Sequence, residues 1–191
     1  MAAGLVLTGG ASRRLGRDKA GIVVGGERLA HRAARVLSEV CMPALEIGPG
    51  VTDLEALREQ PSGSGPLAAL VAGGTALQAR GYAGSIVLLA VDLPFVGPPL
   101  LRLLADWPGE ATVVPIAGGT RQSCCARYAP TAVEAARALL LDGERSLRAL
   151  LETVQIEEVP ESVWLDVAKA NAFADLDTPE DLQRYGIAPD G

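Results

Sequence analysis

The residues best placed by type and spacing to do chemistry stand near the N-terminus. An apolar stretch, Leu5-Val6-Leu7-Thr8, runs directly into Gly9-Gly10-Ala11-Ser12-Arg13-Arg14-Leu15-Gly16-Arg17-Asp18-Lys19. Glycines at the end of a strand let main-chain N–H groups approach an anion closely, because no Cβ stands in the way and positive φ is open to them. Four cations, Arg13, Arg14, Arg17 and Lys19, crowd the same loop, in a chain that is otherwise acidic: 17 Lys+Arg against 23 Asp+Glu, a net charge of −6. Such a local reversal of sign suits a polyphosphate. Two common phosphate motifs fail, since Gly16 is followed by Arg17-Asp18 rather than Lys-Ser/Thr and no Gly-x-Gly-x-x-Gly occurs. Neither a P-loop nor a hydride-transfer fold is supported. Read without chemistry, the segment is a solvated basic loop.

A second constellation is Val91-Asp92-Leu93-Pro94-Phe95, after the most apolar run of the chain, residues 86–91. A carboxylate at the carboxyl end of a buried strand emerges at the edge where open α/β sheets bind ligands. Mg²⁺ binds through one or two carboxylates plus substrate phosphates and keeps several waters, so Asp92 with one further acid suffices. Asp175 and Asp177, in Phe173-Ala-Asp-Leu-Asp-Thr-Pro179, are the candidates for that second acid. Taken alone, Asp92 merely begins a turn.

These residues need a scaffold, and the apolar pattern describes one. Residues 4–8, 45–48, 85–91 and 112–116 read as buried strands, rich in Val, Ile and Leu and without polar alternation. Between and after them, residues 27–39, 66–79, 98–107, 131–141 and 146–153 have helical length and pattern. Thr178-Pro179-Glu180-Asp181 reads as a capped start of a short helix ending near Tyr185. Strands alternating with helices predict a mostly parallel sheet with helices on both faces. The 60–66 stretch, Gln-Pro-Ser-Gly-Ser-Gly-Pro, is a small-residue loop in which Pro66 fits the first turn of the next helix.

With 191 residues and 49% of them apolar, the chain suits a single domain, residues 1–191, with a substantial core. Its acidity excludes extended nucleic acid and anionic lipid as general partners. No apolar run approaches the roughly 20 residues of a membrane helix, and no signal-peptide pattern opens the chain, so a cytoplasmic location is expected. Cys41, Cys124 and Cys125 have no metal-ligand spacing and read as reduced thiols. The one histidine, His31, sits on a helical pattern and reads as structural or surface-lying.

Taken together, the motifs resemble those of the molybdenum cofactor guanylyltransferase family, within the nucleotidyltransferases of three-layer, Rossmann-like α/β fold. The family's opening signature, Gly-Gly-x-x-x-Arg-Met-Gly-x-Asp-Lys, stands here from Gly9 to Lys19 with Leu15 in place of Met. Gly-Pro-Leu-Ala appears as Gly65-Pro66-Leu67-Ala68, Asp-x-Pro as Asp92-Leu93-Pro94, and Asn-x-Asn-Thr-Pro-Glu-Glu-Leu as Asp175-Leu176-Asp177-Thr178-Pro179-Glu180-Asp181-Leu182. The resemblance implies transfer of GMP from GTP to the terminal phosphate of molybdenum cofactor, with release of pyrophosphate and dependence on Mg²⁺. It implies that Leu7, Thr8, Gly9 and Gly10 meet the nucleotide, Lys19 its phosphates, Gly65, Pro66 and Leu67 the guanine, and Asp92 the metal, with Asp175 or Asp177 assisting. Arg14 and Lys19 would stabilise transition-state charge, and the ionised phosphate nucleophile needs no general base.

The chain departs from the family pattern at several positions. Asp175 and Asp177 replace two asparagines, a form shared with cytidylyltransferases; Gly48 stands where an Asn follows the second strand; Glu59-Gln60 stand where an Asp precedes the Gly-Pro-Leu stretch. Arg121, Gln122 and Arg145 are candidate contacts on the pterin side, or ordinary surface residues. A cytidylyl- or sugar-phosphate nucleotidyltransferase, and a nucleotide-binding module without turnover, are the alternatives. Cofactor-delivering or molybdoenzyme proteins would be the protein partners.

Overall fold

The computed structural model describes residues 1–9, 19–61, 63–176 and 178–187. Gly10, Arg13, Arg14, Arg17, Asp18 and Asp177, all singled out above, lie outside them.

Strand β1 (Ala3–Leu7) is the buried run before the glycines. A one-turn 3-10 segment, Lys19–Gly21, leads into a small hairpin, β2 (Val23–Val24) and β3 (Glu27–Arg28), and helix α1 (Leu29–Ser38) follows. Then come β4 (Ala44–Ile47), β5 (Glu55–Leu57), α2 (Pro66–Ala79), β6 (Ile86–Ala90) and α3 (Pro98–Ala105). The chain continues through β7 (Thr112–Ala117), β8 (Thr120–Arg121), β9 (Cys125–Tyr128), α4 (Pro130–Leu141) and α5 (Leu147–Leu151). It ends with β10 (Ile156–Val159), α6 (Glu161–Trp164) and α7 (Pro179–Arg184).

The main sheet has the order β10-β7-β9-β6-β1-β4-β5, with β8 pairing to β7. Strands β6, β1, β4 and β5 are parallel, as is the β7–β10 pair, while β9 runs antiparallel between β6 and β7. Successive side chains leave a strand on opposite faces, and the core divides accordingly. Val6, Val87, Leu89 and Val113 pack with α1, α3 and Trp164 on one face; Leu5, Leu7, Ile86, Leu88 and Val114 pack with α2, α4 and α5 on the other. The expected α/β architecture with helices on both faces is therefore present, as a mixed and largely parallel sheet.

Where pattern and structure differ, a physical reason is visible. The helix expected over 27–39 begins only at Leu29, because Gly25 and Gly26 take positive φ and turn the chain into the β2–β3 hairpin first. Strand β9 was hidden by Arg127 in its middle; that side chain is buried, and its guanidinium donates to the carbonyls of Trp107, Gly109 and Ala111. Burial lowers the pKa of Arg127 below its ordinary value. Strands β5 and β10 occupy the two edges, where one side of the ladder is open and acidic residues are tolerated. The terminal helix starts as expected, with Thr178 and Asp181 forming a reciprocal capping box.

Candidate active site

The carboxyl ends of β6, β1, β4 and β5 open side by side onto one cleft of about 320 Å³. Its lining includes Leu7, Thr8 and Gly9 after β1, Lys19, Gly65 and Pro66 at the start of α2, and Asp92 after β6. Seven of the nine residues expected to meet the nucleotide thus converge. Of the other two, Gly10 lies outside the described residues, and Leu67 has its side chain fully buried beneath α2.

Lys19 and Asp92, 73 positions apart in sequence, meet at the mouth of the cleft. The Lys19 ammonium donates to Asp92 Oδ2 at 3.1 Å, with side-chain exposures of 16% and 29%. Both groups are far enough from bulk water for their charges to matter, yet open enough to receive a ligand. The main-chain carbonyl of Asp92 accepts from Leu176 N–H at 3.1 Å, and Leu176 is fully buried. That anchor sets the exposed Asp175 beside the Asp92 segment. No group of three His, Cys, Asp or Glu side chains able to hold a metal occurs among the described residues. A Mg²⁺ site of one or two carboxylates completed by substrate phosphates fits this hard-oxygen donor set.

Glu46, which the apolar reading of residues 45–48 passed over, organises the floor of the cleft. It is fully buried in β4, yet its carboxylate accepts from Thr8 Oγ1 at 2.6 Å, Gly50 N at 2.8 Å, Val51 N at 3.0 Å, Thr52 N at 2.9 Å and Thr52 Oγ1 at 2.7 Å. Burial by itself pushes this carboxyl up, but the hydrogen bonds from Thr52, Thr8 and the Val51 and Thr52 amides outweigh it and hold the pKa below the ordinary value. The same carboxylate therefore fixes Thr8 and the 50–52 loop. Gly48 completes the junction: a Cβ there would lie 2.0 Å from Thr8 Oγ1 and 2.8 Å from Gly9 N. An Asn at this position is incompatible with Thr8 as placed, which accounts physically for one departure from the family pattern.

Gly65 has φ +91°, a conformation that suits glycine, and turns the 61–65 loop into α2. The Arg145 carbonyl accepts from Leu67 N–H at 3.3 Å, satisfying one of the helix's orphan donors. The Arg145 guanidinium instead donates to the Leu140 and Glu144 carbonyls. Arg121 is paired with Glu152 and Glu158 beside a second cavity of about 440 Å³, and Gln122 donates to the Thr120 carbonyl. None of these three side chains lines the cleft.

Seven of the residues lining the cleft lie outside the set expected from sequence, and Glu59 and Cys124 are the two of them with ionisable side chains. Burial, and then the negative charge of Asp92, raise the Cys124 thiol, so it is mainly protonated and a poor nucleophile at neutral pH. Cys41 and Cys125 are buried, with Cys41 pushed up to about 12 by burial. His31, on α1, is half-buried and outside the cleft lining.

The arrangement, a glycine-flanked strand end with a lysine–aspartate pair at the switch between parallel neighbours, defines a nucleotide-binding α/β protein of nucleotidyltransferase form. Molybdopterin-guanine dinucleotide biosynthesis protein A from Archaeoglobus fulgidus has the same fold, at TM-score 0.79 and 24% identity over 96% of both chains. The 2-C-methyl-D-erythritol 4-phosphate cytidylyltransferase from Thermus thermophilus shares it too, at TM-score 0.65 and 16% identity, covering 97% of both chains. The MobA-like NTP transferase domain matches residues 4–159, and the chain belongs to that family. A probable molybdenum cofactor guanylyltransferase from Opitutus terrae is 35% identical, covering 95% of this chain and 93% of its own. One from Chloroflexus aggregans is 30% identical over 96% of this chain and 92% of its own. No helix among the described residues is long and apolar enough to cross a membrane.

Proposed function

We propose that the chain, acting as one domain in the cytoplasm, is a molybdenum cofactor guanylyltransferase that takes GMP from GTP. The observation that carries this reading is the lysine–aspartate pair at the mouth of the cleft, in a chain similar along nearly its whole length to proteins of that name.

In the reaction, an oxygen of the acceptor's terminal phosphate forms a bond to the α-phosphorus of GTP. The bond from that phosphorus to the bridging oxygen breaks, and pyrophosphate leaves with the electron pair. The nucleophile is already ionised at neutral pH, so the protein's task is alignment and charge stabilisation. The main chain of Leu7, Thr8 and Gly9, which lines the cleft at the end of β1, would meet the nucleotide. Asp92 holds the Lys19 ammonium at the cleft, where it meets the triphosphate. Arg14 adds a second positive charge, assigned from its place in the basic loop. Asp92, with Asp175 or Asp177, would hold magnesium, which supplies further charge neutralisation on the triphosphate when bound.

Thermal denaturation with GTP, CTP, ATP and UTP in the presence of magnesium tests the reading. A ligand at 100 times its Kd stabilises the fold by about 2.7 kcal/mol, which for a chain of this size raises Tm by roughly 5–11 °C. GTP is expected to give that shift and the other three little. Preference for CTP would return the chain to the cytidylyltransferase alternative.

A further inference from the structure

We infer that the second cavity, of about 440 Å³, seats the pterin end of the acceptor, with Arg148 standing between it and the cleft and Glu158 reading the ring. The inference rests on the guanylyltransferase reading above and deepens it by placing the second substrate. Both cavities lie on the same face of the sheet. Ile47, Ala90 and Cys124 of the cleft pack with α2, α4 and α5, and so does Leu151 of the second cavity. Ile116 and Glu158 stand two residues past Val114 and Ile156 of that same cluster, so strand alternation turns them to the same side. Helix α5 joins the two cavities. The Arg145 carbonyl just before it accepts from Leu67 N–H at the start of α2, while Arg148, Leu151 and Glu152 line the second cavity. Cys124, on the cleft wall, senses the charge of Arg148 as well as those of Asp92 and Lys19.

The charges of the second cavity are graded along its length. Arg121 donates to Oε1 of Glu158 at 2.7 Å and to Oε1 of Glu152 at 2.6 Å, so two carboxylates share one guanidinium and the far end is left net negative. The Arg148 guanidinium makes no hydrogen bond or ion pair among the described residues and leaves the near end positive. The sheet order sets the span. Strands β7 and β10 lie two and three places from β6, which carries Asp92, or roughly 10 and 14 Å across the sheet. An acceptor with its phosphate at Lys19, Asp92 and Arg148 therefore runs over β9 and β7 and brings its ring to Glu158, above the apolar side chains of Ile116 and Leu151. A pterin carries two adjacent donors, N3–H and the 2-amino group, on the ring remote from its substituent, and an ionised carboxylate only accepts. Arg121 is then a positioning residue that holds the carboxylates. The nucleotide, over β1 and β4, and the acceptor, over β9 and β7, approach Asp92 from opposite sides, as in-line displacement at the α-phosphorus requires.

The experiment is fluorescence titration of the wild type, Arg148→Ala and Glu158→Gln with three probes: the phosphate ester of 6-hydroxymethylpterin, the free alcohol, and the matching lumazine ester, in which a carbonyl replaces the 2-amino group. The nucleotide site is first filled with magnesium and the α,β-methylene analogue of GTP, which cannot release pyrophosphate, so that no probe enters the guanine pocket. The wild type is expected to bind the pterin ester at least roughly 10-fold more tightly than the lumazine ester. Glu158→Gln is expected to lose that preference. Arg148→Ala is expected to bind the pterin ester at least roughly 10-fold more weakly and the uncharged alcohol as the wild type does. Both replaced side chains are exposed, so the fold should persist. A wild type that binds the two esters alike, or binds no pterin, overturns the subsite without any variant, as do variants that bind all three probes like the wild type. Affinities for GTP and CTP, measured on the same wild-type protein, test the nucleotide reading separately. CTP held as tightly as GTP would overturn the guanylyl reading and leave the pterin subsite standing.

Discussion

Replacing Glu46 by glutamine keeps the volume of the side chain and removes one acceptor oxygen, so it isolates the hydrogen-bond hub beneath the cleft. The native carboxylate serves three amide donors and two hydroxyls. Glutamine presents one oxygen and an NH₂, and hydroxyl groups can rotate to other partners, but amides cannot. One or two of the main-chain N–H groups then face a donor. At about 1–3 kcal/mol for each donor left unsatisfied, Glu46→Gln should lose roughly 1–6 kcal/mol. That corresponds to a fall in Tm of roughly 2–24 °C for a chain of this length. The pH dependence carries the same signature with a definite sign. Because the folded carboxyl is held below its ordinary value of 4.5, its contribution is fully present above that value and is lost as pH falls through the still lower folded pKa. Urea denaturation of both proteins between pH 7 and pH 3 checks it, with the gap between them narrowing on the acid side. A variant within about 0.5 kcal/mol of the wild type at pH 7, or a gap that does not change with pH, would refute the reasoning.

Other perturbations separate local geometry from chemistry. Gly48→Ala puts a Cβ against Thr8 Oγ1 and Gly9 N; it should cost about 1–3 kcal/mol and weaken GTP binding, measured by denaturation and titration. Lys19→Ala should lower kcat/KM for GTP by at least roughly 100-fold with little change in Tm, since the removed ion pair is partly exposed. Leu67→Ala empties a fully buried position and should cost about 2–5 kcal/mol, seen in its unfolding midpoint. Among the three cysteines only Cys124 is half-exposed; iodoacetamide should modify it slowly at pH 7.5, faster as the pH rises, and more slowly again with GTP bound, followed by mass spectrometry.

The sequence made legible what is written in runs and in short motifs. Strands β1 and β6 announce themselves because both faces of each are covered, leaving unbroken apolar stretches. The Gly9 loop, Lys19 and Asp92 were recognisable by residue type, although nothing local showed that Lys19 and Asp92 would meet. Polar residues inside strands hid the rest. Arg127 disguised β9 because its partners, three carbonyls of a distant turn that accept from its terminal nitrogens, lie far off in sequence. Glu46 looked like noise in β4 because the amides that justify it follow in an irregular loop; a lone acid in an apolar strand before Gly-Pro-Gly-Val-Thr was the available signal. Glu59 showed in the sequence only as a departure from the family pattern, because the strand before it, β5, lies at the sheet edge and is too short and too polar to stand out.

The central claim is most directly tested by pyrophosphate release from GTP with magnesium, measured with and without molybdenum cofactor. Release that requires both substrates, yields the guanine dinucleotide form and disappears in Asp92→Asn is the predicted result. Release that is indifferent to the cofactor, or as fast with CTP as with GTP, would contradict it.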